Sequence, residues 1–174
     1  IVSGEPGVCL ATSGPGATNL VTGLADADMD SDPMVALTGQ VSTDFLGRDA
    51  FQETDTTGVT MPVTKTNYVS TDPDTTGHTV GEAFALAEEG RPGPTLVDLP
   101  KNVTKGETGE QPVGPELPED FDVPNAADGA AVSEAAEALA DAEQPAILSG
   151  GGVIKAEAWD ELRRFATEYG VPVV

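Results

Sequence analysis

Short apolar runs alternate with helical stripes along this chain. Val8-Cys9-Leu10-Ala11 has the length and composition of a buried strand, and a glycine turn, Gly14-Pro15-Gly16, follows it. Leu20, Val21, Leu24 and Ala25 then recur at helical spacing, leaving Asp26, Asp28 and Asp30 for solvent or the helix end. Met34-Val35-Ala36-Leu37-Thr38, introduced by Asp32-Pro33, reads as a second buried strand. Two apolar strands joined by an amphipathic helix predict a right-handed βαβ unit in a parallel sheet. Thr64 to Val69 resembles a half-exposed strand. A helix from about Thr75 to Glu89 carries Val80, Ala83, Phe84 and Ala87 on one face, with Gly90 where a C-terminal cap belongs. Arg91-Pro92-Gly93-Pro94 leads into another parallel-type strand, Thr95 to Leu99, which is followed by Pro100-Lys101.

Between Asn102 and Asn125 prolines, glycines and acids dominate and the periodicity disappears, which predicts an interdomain linker. A second βα pattern follows. Val132, Ala135, Ala136 and Leu139 make a helical stripe, Ala146-Ile147-Leu148-Ser149 a strand, and Trp159, Leu162, Ala166 and Tyr169 a further helix closed by Gly170. Gly150-Gly151-Gly152 lies between that strand and that helix, a place compatible either with approach to a nucleotide diphosphate or with a tight turn; the Gly-x-Gly-x-x-Gly spacing is absent. The pattern therefore predicts an α/β protein: a parallel-sheet domain over 1–101, a linker over 102–127, and the start of a second α/β domain over 128–174. Ile1-Val2-Ser3 carries no start signal and the chain stops within an apparent strand, so a segment of a longer protein is expected.

Charge sharpens the picture. Thirty acidic residues against eight basic ones give a net charge of -22, yet the acids are interleaved with periodic apolar positions, so a folded chain is expected. The composition, poor in lysine, suits a cytoplasmic protein of a halophile, in which screening over a few ångströms suppresses self-repulsion. Phosphate recognition needs a basic patch, and none is visible, which argues against nucleic-acid binding. No apolar run reaches the length of a membrane span and no signal peptide is recognisable. The one cysteine, Cys9, sits in an apolar run and is expected to be a small core residue.

Three places carry candidate chemistry. A strand, a glycine turn and a helix start around Cys9–Asn19 can hold a polar cofactor or can be an ordinary βα connection. From Gly39 to Thr60 the chain is polar and aperiodic, long for a connection in a compact α/β domain. Within it Phe51-Gln52 either closes over a ligand at the carboxyl edge of the sheet, or Phe51 anchors the loop to the core and Gln52 is solvated. Arg91 and Lys101 flank one strand and can pair with surface acids or meet a phosphate or carboxylate. His78, with no histidine or cysteine near it, reads as a surface residue.

Taken together, Ala11-Thr-Ser-Gly-Pro-Gly-Ala-Thr-Asn-Leu20, Ala36-Leu-Thr-Gly-Gln-Val41, Asp49-Ala-Phe-Gln-Glu-Thr54, Thr64-Lys65, Gly90-Arg-Pro-Gly-Pro94 and Val97-Asp-Leu-Pro-Lys101 resemble the large catalytic subunits of acetolactate synthases, thiamine-diphosphate-dependent enzymes. The opening motif is common to many such enzymes; Asp-Ala-Phe-Gln-Glu-Thr is more particular to this group. The resemblance implies a pyrimidine-binding domain, partial at its N-terminus, over residues 1 to about 101 and the start of a Rossmann-like, FAD-carrying domain after the linker. It implies that Pro15 and Asn19 line the aminopyrimidine of thiamine diphosphate, that Gln52 lies near its reacting carbon, and that Phe51 and Lys101 wall the substrate channel. Arg91 and Gly150, Gly151 and Gly152 would contact a structural FAD, and Lys65 would lie near the channel and a subunit contact. Mg2+ would be held by residues outside this segment. The implied reaction joins decarboxylated pyruvate to a second 2-keto acid, pyruvate or 2-ketobutyrate, toward branched-chain amino acids, in a homodimer or higher homo-oligomer with a regulatory small subunit as a further candidate partner. No counterpart of the family's activating glutamate or of its metal motif is found, so this segment alone is expected to be inactive. Ser42-Thr43-Asp44 stands where many relatives carry a proline and two arginines. Another thiamine-diphosphate decarboxylase or oxidase, or a non-catalytic binding module on the same fold, is the alternative.

Overall fold

A computed structural model describes residues 3–110, 114–119, 121 and 126–174. The chain divides into two compact units, 1–123 and 124–174. The division falls inside the stretch read as a linker, part of which lies outside the described residues.

The first unit is built on four strands, β1 (Gly7–Ala11), β2 (Met34–Gln40), β3 (Thr66–Val69) and β4 (Pro94–Pro100), all parallel, in the order β1-β2-β4-β3. The parallel α/β expectation is met. The two central strands, β2 and β4, are covered on both faces, which is why their sequences are nearly continuous apolar runs. α1 (Pro15–Thr18) and α2 (Val21–Asp30) follow β1; α3 (Thr56–Thr60) precedes β3; α4 (Pro73–Glu88) joins β3 to β4.

Two apolar clusters hold the layers together. Leu24, from α2, meets Ala36 and Leu96, with Cys9, Leu20, Met34 and Val63 packed around them. Ala83 and Ala87, from α4, meet Val35 and Val97, with Leu37, Tyr68, Val80, Phe84 and Leu99 around them. Since side chains alternate along a strand, Val35 and Ala36, or Leu96 and Val97, serve opposite faces. α4 starts two residues earlier than expected, because Asp72 caps it, accepting from the Asp74 amide at 3.0 Å, and Pro73 fits the first turn. At the far end Gly90 adopts φ +62°, as its position predicts.

Two further expectations change. The 39–60 stretch is not structureless: β2 continues to Gln40, a 3-10 turn covers Thr43–Phe45, and α3 occupies Thr56–Thr60. Nor does the chain loosen directly after β4. The Val103 and Thr104 amides both donate to the Pro100 carbonyl, and Val103 is buried.

The second unit contains α5 (Gly129–Asp141), α6 (Gly151–Lys155) and α7 (Trp159–Tyr169). The expected strand at Ala146–Ser149 is reduced to a single parallel bridge between Ile147 and Val173, since among the described residues no longer strand lies beside it. Gly151 and Gly152 are the first residues of α6, with Gly150 as its N-cap, so the three glycines open a helix instead of forming a free turn. Gly170 ends α7 in the left-handed conformation, φ +67°, as expected. The stripe on α5 is largely uncovered: Val132 is 53% exposed, and only Leu139 of the four is half-buried.

Candidate functional site

Parallel strands deliver the segments that follow them to one side of the sheet, so the turn after β1, the loop after β2 and the residues after β4 share the carboxyl edge. The turn after β1 is built around Gly14. Its φ is +60°, and a Cβ there would come to 2.7 Å from the Gln52 carbonyl oxygen and 3.1 Å from the Gln52 Cα. Both the torsion and the close approach exclude a side chain. The Gly-Pro-Gly turn and the Phe51-Gln52 loop, 38 residues apart in sequence (52 less 14), are thus in backbone contact. Pro15 opens α1, and one turn later the Asn19 amide donates to the Pro15 carbonyl at 3.1 Å, so both lie on one flank of α1. Each is exposed, as is Gln52.

Gln52 itself has φ +61° and Asp49, three residues earlier, φ +54°. A non-glycine residue held there costs about 1–3 kcal/mol, so the surroundings must fix it. Glu53 does part of this: its carboxylate accepts from the Ala50 amide at 2.7 Å, from Arg48 at 3.3 Å, and from Gly47. The Ala50 amide, followed by those of Gly47, Arg48 and Asp49, holds this carboxyl below its usual range against an opposing desolvation. Phe51 is 89% exposed. The reading in which Phe51 anchors the loop to the core is therefore corrected: hydrogen bonds, not the aromatic ring, tie the loop down.

Beneath the loop lies a buried polar cluster. Asp98 sits opposite Thr38 in the β2–β4 register and is fully buried. It accepts from the Thr38 hydroxyl at 2.6 Å and from the Gln40 side-chain amide at 2.8 Å, with a further side-chain hydrogen bond from Thr56. The same Gln40 nitrogen donates to the Thr54 carbonyl at 2.7 Å, and the Gln40 oxygen accepts from the Val41 amide at 2.8 Å. Desolvation pushes the Asp98 carboxyl above its usual range, and these hydrogen bonds oppose it. None of these roles was read from the sequence, although a carboxylate inside the apolar run Thr95–Leu99 is a signal that could have found Asp98.

Lys101 follows β4 and is exposed, its amide donating to the Gln40 carbonyl at 3.1 Å. Asn102 clasps the loop after β2, accepting from the Thr43 amide at 2.9 Å and donating to the Thr43 hydroxyl at 3.0 Å. The structure thus brings the segments bearing Pro15, Asn19, Phe51, Gln52 and Lys101 to one edge. Arg91 and Lys65 precede their strands and lie at the opposite edge. Arg91 donates to the Ser31 hydroxyl at 2.8 Å and the Asp28 carbonyl at 2.7 Å, binding the end of α2. Lys65 caps α4 through the Leu86 and Glu89 carbonyls, and burial lowers its ammonium, partly offset by Glu89. In the second unit, a Cβ on Gly150, Gly151 or Gly152 would meet nothing within 4 Å.

Residues 1–59 match the thiamine pyrophosphate enzyme N-terminal TPP binding domain, and residues 132–174 the thiamine pyrophosphate enzyme central domain. The chain belongs to the thiamine pyrophosphate enzyme family. It is 51% identical to the acetolactate synthase large subunit of Corynebacterium glutamicum over 99% of its own length and 28% of that protein's. It is 50% identical to an acetolactate synthase of Mycobacterium bovis, with the same coverages, and 47% identical to a probable acetolactate synthase large subunit of Methanocaldococcus jannaschii over 98% of this chain and 29% of that one. The chain therefore spans just over a quarter of the length of these curated relatives.

The side chains suit a thiamine cofactor: two carboxamides, Asn19 and Gln52, each able to donate and accept, stand exposed beside a glycine turn too tight for any other residue. Among the described residues no group of three or more His, Cys, Asp or Glu side chains could hold a metal ion, and no helix is long and apolar enough to cross a membrane.

Proposed function

We propose that this chain is part of an acetolactate synthase, which condenses pyruvate, after loss of carbon dioxide, with a second 2-keto acid. The observation that carries the reading is the backbone approach of Gly14 to Gln52, because it joins the motif common to thiamine enzymes to the motif particular to acetolactate synthases. When bound, thiamine diphosphate supplies the electron sink for decarboxylation. Pro15 and Asn19 hold its aminopyrimidine. Gln52 donates an amide hydrogen bond to the oxygen on which negative charge develops, without giving up a proton. The exposed ammonium of Lys101 draws the substrate carboxylate to the edge, and Phe51 forms a wall that keeps water from the reacting atoms. An exposed Phe51 and an exposed Gln52 suit a site completed by a neighbouring subunit, and so an oligomer.

The wider reading extends to FAD held by Arg91 and the Gly150–Gly152 segment, to Mg2+ bound by residues elsewhere in the full protein, to a regulatory small subunit, and to the cytoplasm of a halophile. Of these, the FAD role of Arg91 has least support, since its guanidinium is engaged by Ser31 and Asp28.

The test uses the full-length protein with thiamine diphosphate, Mg2+ and FAD. Pyruvate alone is expected to give acetolactate, and pyruvate with 2-ketobutyrate acetohydroxybutyrate; acetaldehyde or acetyl phosphate instead would reassign the enzyme to the decarboxylases or oxidases. Gln52→Ala is expected to lower kcat by roughly a hundredfold, as loss of a hydrogen-bond donor to a developing oxyanion does, and to change cofactor affinity far less. Unchanged turnover would remove Gln52 from the mechanism.

A further inference from the structure

We infer that Asp98 and Gln40 form a positioning pair: the buried carboxylate fixes the Gln40 carboxamide, and that carboxamide holds the Thr54 carbonyl and with it the backbone that carries Gln52. The inference rests on the acetolactate synthase reading for its consequence in catalysis, but its geometry stands apart from that reading. Asp98 is fully buried and Gln40 is 6% exposed, so neither can touch substrate directly. Each polar atom is nonetheless used. The two Asp98 oxygens take up Thr38 and Gln40, with Thr56 as a further donor, and Gln40 turns its remaining capacity outward to Thr54 at 2.7 Å and Val41 at 2.8 Å. Among the described residues no buried side-chain polar atom is left without a partner. A buried carboxylate is costly unless it is paired or fully hydrogen-bonded, and a smaller apolar residue could have filled a place in this sheet. What the carboxylate adds is direction. A Gln40 amide without a fixed acceptor on one side could rotate away from Thr54, two residues after Gln52.

The loop needs such a hold. Gln52 sits at φ +61° with its carbonyl in the space that a side chain on Gly14 would take. Glu53 organises the Gly47–Ala50 side of the loop; on the other side the Thr54 carbonyl accepts locally from the Thr56 amide at 2.8 Å, and Gln40 is what ties it to the sheet. Displacement of a reacting group by about 1 Å can cost a hundredfold in rate, so a brace beneath the loop acts on turnover while leaving the surfaces that bind cofactor and substrate intact.

Four single variants of the full-length holoenzyme test this. Gln40→Met keeps the length and removes the donor; kcat is expected to fall roughly ten- to a hundredfold, with KM for pyruvate and affinity for thiamine diphosphate within about threefold of wild type. Amide hydrogen exchange should quicken in residues 50–55 and stay unchanged in α4. Asp98→Asn retains an acceptor for Gln40 and turns a donor toward Thr38, whose hydroxyl can accept; it is expected to keep kcat within about threefold. Thr38→Val removes a separate bond to Asp98 without touching the path to Thr54, and should lower thermal stability but not kcat. If Gln40→Met does not assemble, Gln40→Asn takes its place: one methylene shorter, it cannot span Asp98 and Thr54 together. Wild-type turnover in the Gln40 variant would overturn the inference. So would exchange that quickens evenly through the domain, or a Thr38→Val enzyme as slow as the Gln40 variant. If the wild type makes no acetolactate, the enzyme reading fails, while the exchange comparison still decides whether the pair holds the loop.

Discussion

A single carboxylate, Glu53, gathers three backbone amides and so closes the loop that presents Gln52. Because its folded pKa lies below the ordinary value, its contribution is fully present above about pH 4.3 and is lost as pH falls through the depressed folded value. The loop should therefore loosen in acid, at a pH below the ordinary carboxylate range. Amide exchange at Gly47 and Ala50 checks this: it should rise, relative to α4, on acidification of the wild type, whereas Glu53→Gln should be loose throughout and show no such step. The sequence made Gln52 and the glycine turn visible because their residue types are specific. It left Glu53, Gln40 and Asn102 silent, since an amide or carboxylate announces a role only once the fold chooses its partner. Asp98 is the intermediate case: its setting among Thr95, Leu96, Val97 and Leu99 marks it as unusual, yet only the register with Thr38 says what it does.

At the scale of elements, the central strands carry both cores. Leu96 is fully buried between Leu24 and Ala36, and Leu96→Ala should cost about 3 kcal/mol of unfolding free energy, measured by urea denaturation of the full-length enzyme; a loss below about 1 kcal/mol would mean that the cavity collapses. The same burial made β2, β4, α2 and α4 readable, because an apolar run or stripe long enough to cover a face is a strong pattern; β1 and α7 show the pattern although none of their residues is fully buried. Short pieces did not show. α3 is five residues of Thr, Gly and Val, too brief for a period and poor in helix formers, and it disappeared into the 39–60 loop. The order β1-β2-β4-β3 was equally hidden, since each strand is compatible with more than one neighbour. Ala146–Ser149 failed for the reverse reason: its composition suits a strand, but a strand requires a partner, and among the described residues it makes a single bridge, Ile147 to Val173, with the Ser149 amide donating to the Val174 carbonyl.

The whole molecule carries a net charge of -22 over 174 residues. Mutual repulsion favours expanded states, and it fades as the screening length falls from about 30 Å at 0.01 M salt to about 3 Å at 1 M. The thermal midpoint is therefore expected to drop on dialysis from molar to about 0.01 M salt; a midpoint that stayed level or rose would show that the acids are already compensated within the fold. Composition made this legible and structure adds little to it. β1, however, gives the same charge a second consequence. Among the described residues this strand pairs with β2 alone, and Val8 and Leu10 on it are 57% and 77% exposed. A free strand flank is a template on which another copy can grow. In the isolated segment like charge is expected to oppose such growth, and the salt expected to favour its compact state would also screen that protection, so conditions best for its compactness should be worst for its solubility.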